Sequence, residues 1–121
     1  MIFWRLFVDS ARVVGQYHPY VVPQEHGAHV DTRWFELTDA EGHGIRIDTP
    51  DRTSFSARRH HDEDLTRAST IAELARSDDV EVHIDAAVRG LGTGACGPDA
   101  LPPFLVGPGR YAWTWMLAPR V

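Results

Sequence analysis

The groups in this chain with chemistry to offer are seven histidines, seventeen acidic residues, one cysteine and four tryptophans. Each type makes its own demand on spacing. Histidines invite a metal ion, and His26 with His29, or the adjacent His60 and His61, are the nearest pairs. A transition metal needs three or four converging ligands, and the chain has neither a helical His-Glu-x-x-His string nor a cysteine pair. Histidines in surface loops, with His83 on the polar face of a strand, are the simpler reading. Acid-base cleavage of a glycoside needs two carboxyls flanking the bond. Most acidic residues here fall in solvated runs such as Asp62-Glu63-Asp64 and Asp78-Asp79, and spacing selects no pair. Cys96 lies in Gly92-Thr93-Gly94-Ala95-Cys96-Gly97-Pro98 with no adjacent base to make it a thiolate. Those glycines open no helix and precede no Lys-Ser or Lys-Thr, so they form no phosphate loop. Trp34, Trp113 and Trp115 would suit a sugar-stacking platform, but tryptophan on an alternating strand belongs more often to a core.

The elements that must position these groups are mostly strands. Aromatic and β-branched residues fall in short runs between glycines and prolines. Val80 to Arg89 alternates, with Val80, Val82, Ile84, Ala86 and Val88 on one face and Glu81, His83, Asp85 and Arg89 on the other. Gly109 to Leu117 alternates in the same way. Arg33 to Thr38 and Gly44 to Asp48 predict a hairpin joined by Asp39 to His43, with Gly42 free to take a positive φ. Thr53 to Arg58 adds a third strand, and Ile2 to Val8 is a strand apolar on both sides. One short helix is expected over Asp62 to Ser69, with Asp62 as its cap. Gln16 to Asp31 and Gly90 to Pro103 remain as long loops; the second holds four glycines and three prolines. The order fits an antiparallel β-sandwich.

Composition bounds the rest. With 121 residues the chain is one domain, large enough for a core but not for a catalytic barrel of about 250 residues. Hydrophobic residues are 43% and charged residues 24%, the globular range. A net charge of -5 speaks against nucleic acid. No apolar run reaches the roughly 18 residues of a membrane span, and no signal sequence is visible. A cytoplasmic location is the expectation, and the single cysteine excludes an intrachain disulfide.

Specific strings go further than composition. Pro19-Tyr20-Val21-Val22-Pro23-Gln24-Glu25-His26-Gly27, then Asp31-Thr32-Arg33-Trp34, resembles a signature of the C-terminal domain of family 2 β-galactosidases. Phe55-Ser56-Ala57, His83-Ile84-Asp85 and Arg89-Gly90-Leu91-Gly92 follow in the family's order. Cys96-Gly97-Pro98, Leu101-Pro102 and Gly109-Arg110-Tyr111 complete a match over roughly residues 12 to 117. The resemblance implies an all-β fold, the second half of a galactose-mutarotase-like supersandwich with one short helix. It implies hydrolysis of terminal β-D-galactosides such as lactose by the whole enzyme. The family's two catalytic glutamates stand on a barrel outside this segment, so no catalytic residue carries over and the isolated chain is expected to be inactive.

What the family's domain gives the active site is a loop tryptophan that stacks on the sugar. The corresponding loop, Gly90 to Pro103, has no tryptophan here; Cys96 and Gly97 stand at that place as the candidate substrate-binding residues. The segment needs no cofactor, while the family's Mg and Na sites lie outside it. Its expected partners are the remainder of a β-galactosidase chain, or a second copy through an uncovered apolar face at Ile2 to Val8, together with carbohydrate. A stand-alone carbohydrate-binding module and an inert gene remnant are the alternatives.

Overall fold

Two long alternating strands make the centre of the fold. In β3 (His29–Thr38), Phe35 and Leu37 point one way and Trp34 and Glu36 the other. In β4 (Gly44–Arg58), Ile45 and Ile47 continue the apolar side, and Phe55 and Ala57 extend it. The computed structural model describes residues 3–5, 10–90 and 97–121, with side chains from residue 15 onward. Besides β3 and β4 it contains β1 (Phe3–Arg5), β2 (Ser10–Arg12), β5 (Glu81–Asp85) and β6 (Met116–Arg120). Every pairing is antiparallel, in the order β2-β1-β3-β4-β5, with β6 also on β4. The result is the expected all-β, sandwich-like fold with one short helix, α1 (Asp62–Arg67).

The hairpin of β3 and β4 follows the sequence closely. Asp39 Oδ1 accepts the backbone N–H groups of Glu41 and His43 at 3.0 and 2.9 Å, closing the turn. Gly42 takes φ +92°, which a side chain would strain. Gly44 is fixed by contact: a Cβ there would lie 1.9 Å from the Leu37 carbonyl oxygen.

The structure changes the expected strands in three places. Gly44 to Asp48 and Thr53 to Arg58 are one strand of 15 residues, not two. Pro50-Asp51-Arg52 reads as a break, but the ladder absorbs it as an irregularity near Thr32. Arg52 and Asp31 both sit at φ 55°, and the Arg52 guanidinium bonds both Asp31 carboxylate oxygens at 3.2 Å across that irregularity. The run Val80 to Arg89 is strand only from Glu81 to Asp85, and Val88 is exposed. At the end of the chain the strand is Met116–Arg120, shifted past the expected Gly109 to Leu117. The long β4 explains this shift, because residues 44–48 offer their free edge to residues 116–120 and residues 54–58 offer theirs to β5.

The core is Phe35, Leu37, Ile47, Phe55 and Ala57, with Ile45, Val80, Val82 and Ile84 packed against it. Phe35 and Phe55 stack with centroids 4.0 Å apart and planes 7° from parallel. The tail of β4 is buried on its other side as well: Ser56 and Arg58 are covered where residue Glu25 and α1 approach. The expected strand at Ile2 to Val8 is seen at Phe3–Arg5; its remainder and its side chains lie outside the described residues.

Candidate functional site

The double burial at the end of β4 makes the most unusual environment in the molecule. Arg58 is fully buried, which is costly for an arginine unless its donors are matched; its Nη1 and Nη2 are matched, while its Nε–H has no hydrogen-bond partner among the described residues. Its Nη1 donates to Glu25 Oε1 at 2.9 Å and to Ser56 Oγ at 3.3 Å. Its Nη2 donates to Asp62 Oδ1 and, at 3.4 Å, to Glu81 Oε1. His83 Nε2 lies 3.0 Å from both Arg58 Nη2 and Glu81 Oε1. One ring nitrogen serves one of them at a time, accepting from arginine as a lone pair or donating to glutamate as N–H.

Four parts of the chain meet at this guanidinium: the loop of Glu25, β4, α1 and β5. Local structure explains each arrival. Ser56 pairs with His83 in the β4–β5 ladder, and Arg58 with Glu81, so Arg58, His83 and Glu81 share one face. α1 opens at Asp62, four residues beyond Arg58, and its N-cap is His61, with no side-chain capping bond. The expected capping role of Asp62 is thereby corrected, because its carboxylate is taken by Arg58. Glu81 also accepts the Asp62 backbone N–H at 3.2 Å and His61 Nδ1–H at 2.9 Å.

Electrostatics follow from this geometry. Burial opposes the charge on Glu81, yet the bonds from His83, His61 and the Asp62 N–H, with the Arg58 charge, hold its carboxyl at about 2. The Glu81 bond raises His61 above the ordinary imidazole value. Asp85 goes the other way, raised mainly by burial.

Among the described residues, Asp62, Glu81 and His83 place three metal-type donor atoms within 4.8 Å of one another. Arg58 Nη2 already touches all three side chains, so the guanidinium supplies there the positive charge that a cation would bring. The cluster is a buried ion-pair hub that ties four segments together. A second, smaller hub lies on the polar face of the sheet. Glu36, itself buried, accepts from Arg46 and Arg120, and Arg46 also bonds Asp48 while covering the Trp34 ring at 4.4 Å. It ties β6 to β3 and β4.

The histidines do not gather as the sequence pairs them. His26 meets His60, His61 meets Glu81, His29 meets Gln16, and His83 meets the Arg58 hub. Gly97 is exposed, and Cys96 lies outside the described residues. The core reading of the tryptophans is corrected: Trp113 and Trp115 are 41% and 45% exposed, and Trp34 is half-buried. Sequence reasoning missed the Arg58 hub. The available signal was an arginine at the end of a β-rich run, Phe55-Ser56-Ala57-Arg58, on the face that also carries Ser56.

The Glu25 that reaches Arg58 belongs to Pro23-Gln24-Glu25-His26-Gly27, in which Pro23 and His26 are buried and Gly27 has φ +73°. The string that carries the resemblance is thus a built feature of the fold. A family model described as beta galactosidase small chain matches residues 8–117. The chain belongs to the β-galactosidase small-chain family. Among relatives, a β-galactosidase of Arthrobacter sp. (strain B7) is 38% identical over 94 residues, covering 74% of this chain and 9% of that protein. A β-galactosidase of Streptococcus thermophilus is 35% identical over 75 residues, covering 61% of this chain and 7% of that one. The β-galactosidase BgaC of Bifidobacterium adolescentis is 59% identical over 29 residues, which is 24% of this chain and 3% of that protein. The small-chain segment therefore spans less than a tenth of the length of these relatives. No helix among its described residues is long and apolar enough to cross a membrane.

Proposed function

We propose that this chain is the C-terminal sandwich segment of a β-galactosidase that hydrolyses terminal β-D-galactosides such as lactose, acting in the cytoplasm. It supports the catalytic part and lends the loop 90–103, with Cys96 and Gly97, to the wall of the active site. One observation supports association with the rest of the enzyme above all others. Tyr111, Trp113 and Trp115 in the approach to β6, and Leu117 within it, are 41 to 56% exposed, and Met116 is 58% exposed. A run of large apolar side chains left half bare is a surface awaiting cover. The test is reconstitution. A β-galactosidase lacking its small-chain segment is mixed with this chain, and recovered hydrolysis of a chromogenic galactoside is expected. No recovery, together with no binding, overturns the reading. The chain alone is expected to give no turnover.

The exposed Trp113 and Trp115 also favour one alternative, a stand-alone module on which a sugar ring stacks. Titration of galactose and lactose against tryptophan fluorescence separates the two. Saturable quenching by the free chain supports the module, and a flat response with tight reconstitution supports the enzyme segment.

A further inference from the structure

The segment 17–28 brings Glu25 to Arg58, and a pair of histidines holds it beside that hub. His26 is buried, and its Nδ1 faces the Gln16 carbonyl oxygen at 3.2 Å. A carbonyl only accepts, so Nδ1 carries the proton and Nε2 is a lone pair. That lone pair faces His60 Nδ1 at 3.3 Å, which must then be the donor. Tyr17 packs edge-on against His26 and tilted against His60, both at 5.1 Å, and its hydroxyl is buried with no hydrogen-bond partner among the described residues. The contact therefore consists of two neutral rings joined by one N–H.

We propose that the His26–His60 hydrogen bond is an acid-sensitive latch that frees residues 17–28 when both rings take up a proton. One proton is accommodated, because it enters at His60 Nε2 and leaves the bond intact. The second has only His26 Nε2, the acceptor of that bond. N–H then faces N–H in a partly buried site, and the segment must move away.

The surroundings work in the same direction. His26 faces Glu25 from its own segment and Arg58 from β4. His60 faces Arg58, Arg76 from the stretch before β5, and Asp64 from α1. Burial is the main cause that holds both rings below 6.5; the Gln16 carbonyl opposes it at His26, while the guanidiniums add to it. A ring kept neutral in the latched form and free to charge in the released form stabilises the latch fully above about 6.5. That stabilisation is lost as pH falls below this value.

The experiment is native-state proteolysis of the full chain from pH 7.5 to 5, scored as the cleavage rate within residues 17–28 relative to an unstructured peptide of the same sequence. Cleavage there is expected to speed up by about tenfold to hundredfold per pH unit below about 6.5, according to whether one or two protons enter on release. In His60→Asn the side-chain amide donates to His26 at neutral pH and turns over to accept once His26 is charged. That variant is expected to be cut as slowly at pH 5 as at pH 7.5. Imidazole nitrogen shifts of the unmodified chain supply a second readout: at pH 7.5 both rings should carry their proton on Nδ1. A cleavage rate in 17–28 that does not change with pH, a rise in His60→Asn as steep as in the parent, or an Nε2-protonated His26 at pH 7.5 each overturns the latch. If His60→Asn does not fold, the nitrogen shifts and the parent's cleavage profile decide the matter.

Discussion

Arg58 is where a single residue carries most. A buried guanidinium is stable only while its carboxylates surround it, so its removal leaves Glu25, Asp62 and Glu81 facing one another. Breaking a fully buried pair costs about 3–5 kcal/mol; here Glu25 and Asp62 remain more than half exposed, and water takes up part of the loss. Arg58→Met is therefore expected to destabilise by about 2–3 kcal/mol, read from urea unfolding. The pH dependence at Glu81 has a definite sign. Its carboxyl is lowered from 4.5 to about 2, so the stability it gives is complete above 4.5 and is lost as pH falls toward 2. Circular dichroism of Glu81→Gln should show this acid limb flattened. His61 has the opposite sign, since its raised value means stability present below 6.5 and lost on alkalisation; the ring is half exposed, so its share is small. None of this was legible in the sequence. Arg58 and Glu25 are 33 positions apart, and Arg58 and His83 are 25 apart.

Among the elements, the β3–β4 hairpin is the frame on which the hub and the C-terminal strand depend. Its turn was legible in advance, because Asp39 and Gly42 are residues that make turns for stated physical reasons. Its length was not. Pro50 and Asp51 signal a break, and only the β3 partner with its irregular register lets the strand run on. Two substitutions separate the parts of this frame. Gly44→Ala drives a methyl against the Leu37 carbonyl and should unfold the hairpin or force it apart. Phe55→Ala removes the stacked partner of Phe35 in the core and is expected to cost about 3–5 kcal/mol. Gly15→Ala meets nothing within 4 Å and serves as the neutral control in the same thermal melts.

For the whole molecule, the question is what covers the C-terminal run. The large side chains from Tyr111 to Leu117 are about half exposed, so altering one costs only part of what a core residue would. They should matter greatly for association. Trp113→Ser combined with Trp115→Ser is expected to lower the melting temperature of the free chain while leaving it folded, yet to abolish reconstitution with a truncated β-galactosidase. Equal reconstitution by this double variant would place the contact elsewhere. The same surface should drive self-association of the free chain at micromolar concentration, measurable by light scattering.

The sequence by itself determined the β class, the central hairpin, the short helix and, through ordered strings from Pro19 to Tyr111, the family. These rest on local alternation, turn chemistry and motif order, all of which are written within a few adjacent residues. Only the tertiary structure decided that one continuous β4 carries both β5 and β6. Only it joined Glu25, Arg58, Asp62, Glu81 and His83 into one hub, and His26 to His60 rather than to His29. Long-range pairing depends on register and burial, and a linear pattern contains neither. The tryptophans make the same point. Trp113 and Trp115 alternate in the sequence yet lie outside any strand, and whether another layer covers them is a property of the assembled fold.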